Sequence, residues 1–295
     1  YQQKLMKKLF RSFFRNKSKI QDKNYSDLII PKIEKFSEIL KTKNSISFLH
    51  YGHLGDLIHS LPLLKEISKN KTCNLYIEKN KPLPKHAVMK GHPAGSVFLN
   101  ENTILKLMPL LKEQKFLNKI EIYRDQEIDV DLNYFREMPI NFNTDSRRWY
   151  FHLVGVFPNL SQSYLDVKPH SKFKNFIIIM RSLRRQNKRI DYSFLSSFDN
   201  IVFLGLKDEF SELKKKITNL EHYDSKDFLE LAMIIKNAKL FIGNNSFGYA
   251  LAEALKVPRL LESGPDFPLV YPFGENAYDF YFQKHFEDLV KKICR

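Results

Sequence analysis

The sequence predicts an α/β protein made of two consecutive series of strands and helices with a cleft between them. Short apolar segments of strand length alternate with segments of helical periodicity, first over residues 46–132 and again over 176–292. In each series one strand runs into a glycine-containing polar loop and then a helix, a junction at which open α/β sheets bind ligands. The 295 residues suffice for about two domains.

Composition excludes several other classes of protein. Hydrophobic residues make up 43% of the chain and aromatic residues 14%, which is enough for a large core. The two cysteines, Cys73 and Cys294, are too few for a disulfide framework or a Cys-rich zinc site, which favours a reducing cytoplasm. No apolar run approaches the ~20 residues of a membrane-spanning helix, and the N-terminal segment lacks the apolar run of a signal peptide.

The net charge of +15 is concentrated in two tracts. Residues 1–20 contain seven basic residues and no acidic one, and residues 171–189 contain seven more, again without an acid. The rest of the chain holds 34 basic and 33 acidic residues and is therefore nearly neutral. This distribution excludes the generally basic surface of a nucleic-acid-binding protein and indicates two local basic features.

The first 44 residues are predicted to form a helical extension. Within residues 1–20, Leu and Phe residues recur on one helical face, and Lys and Arg residues occupy the other. Such a basic amphipathic helix suits an anionic membrane surface. The same pattern also fits a helix that packs its apolar face on the protein. A second helix is expected over residues 26–40.

The first series predicts a domain over residues 45–160. Its helices carry apolar residues at spacings of three and four, and its strands are short apolar runs. This order of elements favours a parallel sheet flanked by helices. The predicted elements are a strand at 46–51, a helix at 56–68, a strand at 74–77, a proline-rich loop at 81–96, a helix at 103–115, strands at 119–123 and 128–132, and a helix at 147–154.

The second series predicts a domain over residues 161–295. Pro139, Pro158 and Pro169 interrupt the weaker pattern before it, which places the connection between the domains there. The predicted elements are strands at 176–180 and 201–204, a helix at 209–217, a strand at 221–223, a helix at 226–236, a strand at 240–242, a helix at 247–255, a strand at 259–261 and a helix at 282–292.

The first chemically informative junction is Tyr51-Gly-His-Leu-Gly-Asp-Leu-Ile-His-Ser-Leu-Pro62. Gly52 and Gly55 let the backbone turn sharply and approach a ligand. Asp56 follows in the first helical turn, at the carboxyl edge of the predicted sheet. It is there either a ligand-facing carboxylate or the N-cap of the helix. His53 is close enough to be a polar residue of the same site.

The second junction, residues 240–255, joins a buried strand to a helix rich in Ala and Leu. Its loop residues Asn244, Asn245 and Ser246 either cap the helix or also present backbone N–H groups to an anion. A diphosphate is an anion that suits such a junction.

Positive charge is expected from the second basic tract. Arg181 directly follows a predicted strand, and Arg184 follows in the loop. Arginine suits bidentate recognition of phosphate in a cleft, whereas a solvated loop is the alternative for the distal basic residues. After the next strand, Glu209 either caps a helix or accepts hydrogen bonds from ribose hydroxyl groups.

Two runs resemble the signatures of glycosyltransferase family nine, the lipopolysaccharide heptosyltransferase-like enzymes. The run Gly55-Asp-Leu-Ile-His-Ser-Leu-Pro-Leu-Leu-Lys-Glu-Ile67 is similar to the family's amino-terminal signature of Gly-Asp, a few residues and Leu-Pro. Phe241-Ile-Gly-Asn-Asn-Ser246 and Ala252-Glu-Ala-Leu-Lys-Val-Pro258 are similar to its second signature, Gly-Asn-Asp-Ser-Gly, a His-containing helix and Ala-Leu-Gly-Val-Pro. The two signatures occur in the expected order, about 190 residues apart.

The resemblance implies a GT-B architecture, in which two Rossmann-like domains face a central cleft. It implies an inverting, metal-independent transfer of a sugar from a nucleotide-diphosphate donor, without a cofactor. In this scheme Asp56 is the general base that deprotonates the acceptor hydroxyl, and Gly55 and His53 lie on the acceptor side. The implied donor-binding residues are Arg181, Arg184, Glu209, Asn244, Asn245, Ser246 and Phe247.

Three residues depart from the family pattern. Asn245 stands where the family has Asp, Phe247 where it has Gly, and Ala250 where it has His. Phe247 does not permit the close backbone approach that Gly permits. These departures indicate a divergent branch of the family and leave Asp56 unchanged.

The leading interpretation is a cytoplasmic enzyme, peripheral at the inner face of the inner membrane, that acts on a glycan, glycolipid or lipopolysaccharide-type acceptor. Two alternatives stay open. One is a sugar-nucleotide 2-epimerase of the same fold, and the other is a non-catalytic sugar-nucleotide-binding relative. Nucleic acid is not an expected partner, because the excess charge is confined to two tracts.

Overall fold

The computed structural model describes residues 25–84, 94–138, 144–264 and 270–294, which form an α/β fold with two parallel β-sheets. The predicted amphipathic helix within residues 1–20 lies outside the described residues. No helix in the described parts of the chain combines the length and the apolar character needed to cross a membrane.

The strands alternate with helices in chain order, as the sequence predicts. The strands are β1 (Ser45–His50), β2 (Thr72–Ile77), β3 (Lys119–Ile122), β4 (Val130–Asp131), β5 (Ile177–Met180), β6 (Ile201–Leu204), β7 (Glu221–Tyr223), β8 (Leu240–Asn244), β9 (Arg259–Glu262) and β10 (Ala277–Phe280). The α-helices are α1 (Ile30–Thr42), α2 (Leu54–Ile67), α3 (Glu101–Lys112), α4 (Ser146–Val154), α5 (Lys207–Lys214), α6 (Phe228–Lys236), α7 (Phe247–Leu255) and α8 (Gln283–Cys294).

The first sheet has the strand order β3-β2-β1-β4, and all of its described pairs are parallel. Strand β1 is central, and its side chains at alternate positions are buried. The strand order reverses between β1 and β4, because β2 and β3 lie on one side of β1 and β4 lies on the other. Open α/β sheets bind ligands at such a switch point, beyond the carboxyl ends of the strands.

The second sheet has the strand order β10-β9-β8-β5-β6-β7 and is also parallel throughout its described pairs. If β5 is numbered as strand 1 and the sheet is followed from β7 to β10, this is the doubly wound order 3-2-1-4-5-6. The switch point lies between β5 and β8. The loops that follow these two strands contain Arg181 and Asn245, so the sheet brings both predicted motifs to the same edge.

Two glycines allow close packing at this switch point. A Cβ atom added to Gly248, in the first turn of α7, would collide with the side chain of Met180 at the end of β5. A Cβ atom added to Gly243, in β8, would lie 2.7 Å from the carbonyl oxygen of Met180. Gly248 therefore lets α7 approach β5, and Gly243 leaves room for the Met180 carbonyl beside β8. As a result, the N-terminus of α7 lies directly beside the carboxyl end of β5.

A common core joins the two sheets. Helix α2 packs against both α4 and α7, and apolar side chains from both sheets belong to one buried cluster. A buried ionic cluster links α4 to α7. Arg147 of α4 donates to Asp145, the N-cap residue of the same helix, and to Glu253 of α7. The cluster also contains Arg259, whose Nε donates to Glu253. The two series of elements are therefore joined by apolar packing around α2 and by charged groups that satisfy one another.

Most predicted elements are confirmed, and three differ in an informative way. The strand predicted at 128–132 is reduced to β4, because the Asp131 carboxylate accepts the Asn133 backbone N–H at 2.8 Å and starts a 3₁₀ helix, Leu132–Glu137. Helix α2 begins at Leu54 rather than Asp56, which places Gly55 inside its first turn. Strand β10 was not predicted, because it is a short edge strand without alternating burial.

Candidate active site

Asp56 lies in a cavity of about 230 Å³ between the carboxyl edges of the two sheets. We call this space the Asp56 cavity. One wall comes from α2 and α4, and the opposite wall comes from the loops after β5 and β8. Its lining residues are His53, Leu54, Gly55, Asp56, His59, Ala94, Phe98, Thr103, Ser146, Trp149, Arg184, Arg185, Asn245, Ser246 and Phe247.

The Asp56 carboxylate caps its own helix and also faces the cavity. Its Oδ2 atom accepts the backbone N–H of His53 at 3.2 Å, while His53 holds the extended conformation of an N-cap residue. The side chain remains 19% exposed. A Cβ atom on Gly52 would lie 3.0 Å from Oδ2 and 2.9 Å from His50, so glycine is required beneath the carboxylate. Asp56 therefore both caps its helix and faces the cavity, the two roles that the sequence left as alternatives.

Arg136 is the partner of Asp56 that sequence reasoning missed. Its Nη2 atom donates to Asp56 Oδ2 at 3.1 Å. The residue lies in the 3₁₀ helix after β4, on the other side of the switch point of the first sheet. Its guanidinium lies 4.9 Å from the ring centroid of Phe98 and 4.7 Å from that of Phe135. The sequence feature that could have indicated Arg136 is its position shortly after the predicted strand at 128–132.

The charge state of Asp56 is set by these neighbours. Burial by itself raises the pKa of the Asp56 carboxyl, but Arg136 and the nearby histidines outweigh it and hold the pKa below its usual value. Burial lowers the pKa of His50 to about 3 and that of His59 to about 4, and it also lowers the pKa of His53. At neutral pH the cavity therefore holds an ionised Asp56 among neutral histidines.

We expect the Arg136→Met variant to raise the pKa of Asp56 above its wild-type value. Without the guanidinium, burial becomes the dominant influence, and burial favours the neutral carboxylic acid. A carboxyl-carbon NMR titration of Asp56 measures the shift directly. Arg148→Met on the exposed face of α4 is the matched control, with no expected change. An unchanged or lower pKa in Arg136→Met would contradict this electrostatic description.

A second cavity, of about 290 Å³, opens beside the first at the switch point of the second sheet. We call it the Glu209 cavity. Most of the wall area exposed in it is apolar, although polar and charged residues outnumber the apolar ones in its lining. Leu54, Thr103, Arg184, Ser246 and Phe247 line both cavities, so the two spaces adjoin. The remaining lining residues are Asn102, Lys106, Met180, Arg181, Ser182, Gly205, Leu206, Glu209, Asp224, Ser225, Phe228, Leu231 and Gly248.

Arg181 lies at the wall of the Glu209 cavity, but its guanidinium is engaged inside the protein. Its Nε and Nη2 atoms donate to the two oxygens of Glu262 at 2.6 and 2.8 Å, and Nη2 also donates to the Asn187 carbonyl at 3.3 Å. The guanidinium also lies 4.5 Å from the ring centroid of Tyr192. Arg181 is predicted to bind the donor, and the structure places it at the cavity wall with its charge offset by Glu262.

Asn244 is also placed differently from the prediction. It is fully buried and does not line either cavity. Its Oδ1 atom accepts the backbone N–H of Ser182 at 2.9 Å, and its Nδ2 atom donates to the carbonyl of Ser182 at 2.7 Å. Asn244 is thus the last residue of β8 rather than part of the predicted loop, and it fixes the loop after β5 against β8.

The other predicted residues lie at the cavities. Asn245 lines the Asp56 cavity, whereas Arg184, Ser246 and Phe247 line both cavities. Phe247 packs edge-to-face against Phe228, with ring centroids 4.7 Å apart. His53 and Gly55 line the Asp56 cavity.

Glu209 lines the Glu209 cavity at the first turn of α5. Burial raises the pKa of its carboxyl. Its Oε2 atom lies 3.4 Å from the backbone nitrogen of Leu206, which donates to it at the start of the helix. As with Asp56, one carboxylate both caps a helix and reaches a cavity.

The solved structures that resemble this chain include heptosyltransferases and a glycosyltransferase of family 9. The Escherichia coli heptosyltransferase WaaC with ADP matches with a TM-score of 0.52 at 11% identity, over 84% of this chain and 99% of WaaC. The glycosyltransferase TibC of enterotoxigenic E. coli matches with a TM-score of 0.54 at 15% identity, over 82% of this chain and 63% of TibC. A UDP-GlcNAc 2-epimerase of Methanocaldococcus jannaschii is a weaker match, with a TM-score of 0.39 at 14% identity over 85% of this chain and 93% of the epimerase.

These similarities establish the fold. No protein-family model matches the sequence, and no curated protein is significantly similar to it. The chain therefore has an α/β fold with parallel sheets like that of GT-B glycosyltransferases, at a sequence identity that does not extend to activity.

Proposed function

We propose that this protein is an inverting, metal-independent glycosyltransferase that uses a nucleotide-diphosphate sugar. One observation carries the proposal. Asp56 and the N-terminus of α7, about 190 residues apart in the sequence, face the same cavity from the carboxyl edges of two parallel sheets. One side of the cavity carries a base, and the other carries the N-terminus of a helix, which can bind an anion. This arrangement suits the attack of a hydroxyl group on a carbon that bears a diphosphate.

The donor occupies both cavities in this proposal. The sugar lies in the Asp56 cavity, the nucleoside lies between the apolar walls of the Glu209 cavity, and the diphosphate lies at their junction. Arg184 and the backbone N–H groups of Ser246 and Phe247 are at that junction. Together they offset negative charge as it develops on the leaving group. The Glu209 carboxylate accepts hydrogen bonds from the ribose hydroxyl groups.

Asp56 supplies the base for the displacement. As the acceptor oxygen forms its bond to the anomeric carbon, the bond from that carbon to the diphosphate breaks and the hydroxyl proton passes to Asp56. The hydrogen bonds from His53 and Arg136 both fall on Oδ2, so we assign the proton to Oδ1. The lowered pKa keeps the carboxylate ionised and ready to accept a proton. Attack from the side opposite the diphosphate inverts the anomeric centre.

The proposal is tested by incubating the full chain with a panel of nucleotide sugars, with and without glycan and glycolipid acceptors. We expect nucleoside diphosphate to be released in an acceptor-dependent reaction that persists in the presence of a metal chelator. Conversion of the sugar nucleotide to an epimer without acceptor would instead identify an epimerase. Tight binding with no turnover of any donor would identify a non-catalytic relative.

The cellular placement is a separate part of the proposal. A glycan or lipopolysaccharide-type acceptor at the inner face of the inner membrane would suit a cytoplasmic enzyme held to anionic lipid by residues 1–20. We expect deletion of residues 1–20 to lower cosedimentation with vesicles that contain anionic lipid, because seven basic residues are removed. Equal cosedimentation of the deleted and intact chains would contradict this membrane role.

A further inference from the structure

Helix α3 brings a lysine from the first series of elements to the cavity of the second. The helix begins at Glu101, where Asn100 accepts the backbone N–H of Thr103 at 2.8 Å and its hydroxyl at 2.7 Å. Its buried face contains Ile104, Leu107 and Leu110. Asn102, Thr103 and Lys106, at spacings of three and four beside this buried face, line the Glu209 cavity.

The position of this lysine is fixed by packing. Helix α3 packs against α6, which belongs to the second series. The Phe228 side chain, at the start of α6, lines the same cavity as Lys106. Lys106 therefore already lines the Glu209 cavity in this structure. No movement of one sheet toward the other is needed to bring it there.

The cationic side chains around this cavity differ in whether an acidic residue already pairs with them. Among the residues that the structure describes, three cationic side chains line the Glu209 cavity, namely Lys106, Arg181 and Arg184. Arg181 is engaged by Glu262. Lys106 is exposed and makes no ion pair within the described parts of the chain. The acid that begins its own helix, Glu101, is paired with Lys79 at 3.1 Å.

A buried hydroxyl group at the wall of the same cavity has no hydrogen-bond partner among the described residues. Ser182 follows Arg181 at the end of β5 and is only 6% exposed. Its Oγ atom is buried and has no hydrogen-bond partner among the described residues, while Asn244 holds its backbone in place. A buried hydroxyl without a partner is costly unless a bound group completes it. A phosphate oxygen is such a group, since it accepts hydrogen bonds and carries the charge that a lysine offsets.

We infer that Lys106 is a binding residue for the diphosphate of the donor, contributed by α3 to a site whose other groups come from the second series. The inference rests on the proposed function. Lys106 and Ser182 contact the diphosphate together with Arg184 and the N-terminus of α7. Lys106 thereby supplies positive charge to the diphosphate, whereas the charge of Arg181 is already offset by Glu262.

The test compares nucleoside diphosphates with their uncharged nucleosides. ADP, GDP, UDP and CDP are titrated into the full chain by calorimetry, and the tightest binder and its nucleoside are then titrated into Lys106→Met. We expect diphosphate affinity to fall about tenfold, which is the loss of one charge-assisted hydrogen bond, and nucleoside affinity to stay unchanged. Lys106→Arg, which keeps the charge, should retain most of the affinity.

Lys112→Met is the matched control, because this lysine is exposed on the same helix and lines neither cavity. Its diphosphate affinity should equal that of the wild type. Unchanged diphosphate affinity in Lys106→Met, or an equal loss for the nucleoside, would overturn the inference while leaving the proposed function intact. If the wild-type chain binds none of the four diphosphates, the inference and the proposed function are both overturned.

Discussion

We expect the Asp56→Asn variant to lose sugar transfer by about two to four orders of magnitude, the usual contribution of a general base. Asparagine has nearly the same shape and still accepts the backbone N–H of His53, but it cannot take a proton at neutral pH. Because the carboxylate lies across the cavity from α7, donor binding should change little. The measurements are acceptor-dependent release of nucleoside diphosphate and, separately, donor affinity by calorimetry.

The matched control for this variant is Asp288→Asn, an exposed carboxylate on α8 that pairs with Lys284. It should retain wild-type transfer. Turnover within a few fold of wild type in Asp56→Asn would overturn the assignment of Asp56 as the base. A parallel loss of donor affinity and of thermal stability would instead assign Asp56 the role of a helix cap.

The second large effect is expected in stability. Arg147→Met should lower the free energy of unfolding by about 3–5 kcal/mol, the typical cost of removing one partner from a buried ion pair. Arg147 is fully buried and donates to Asp145 at 2.5 and 2.9 Å, to Glu253 at 2.6 Å and to the Tyr271 carbonyl at 2.6 Å. Methionine fills part of the space but leaves the Asp145 carboxylate without its guanidinium.

The pH dependence gives this prediction a second measurement. Burial raises the pKa of Asp145, but Arg147 outweighs it and holds the pKa below its usual value. A carboxyl with a lowered pKa stabilises the fold above its unfolded pKa, and this contribution is lost as the pH falls through the folded value. The difference between wild type and Arg147→Met should therefore be largest near neutral pH and shrink toward acid.

Urea titrations at several pH values measure this difference. Lys284→Met, which breaks an exposed pair on α8, should leave the unfolding midpoint unchanged. A pH-independent loss in Arg147→Met would show that packing, rather than charge, decides the role of this residue.

The sequence predicted those site residues whose position follows from local structure. Asp56 and Ser246 each stand where a strand gives way to a helix, and parallel sheets place every such junction at one edge. It did not predict Arg136, since no local pattern shows that β4 lies beside β1, 82 residues away. It also did not predict the ion pair of Arg181, because nothing near Arg181 in the sequence indicates Glu262, 81 residues away, as its partner.

The sequence by itself determined the alternation of strands and helices and the two junctions that carry the site. Hydrophobic periodicity and helix caps are local properties, so they can be read along the chain. Only the tertiary structure decided which charges remain in the cleft. Asp56 is held by Arg136, Arg181 is neutralised by Glu262, and Lys106 is brought to the second cavity by the packing of α3 on α6. Each of these depends on contacts between segments far apart in the chain, and the energy of a charge is set by such neighbours and by burial.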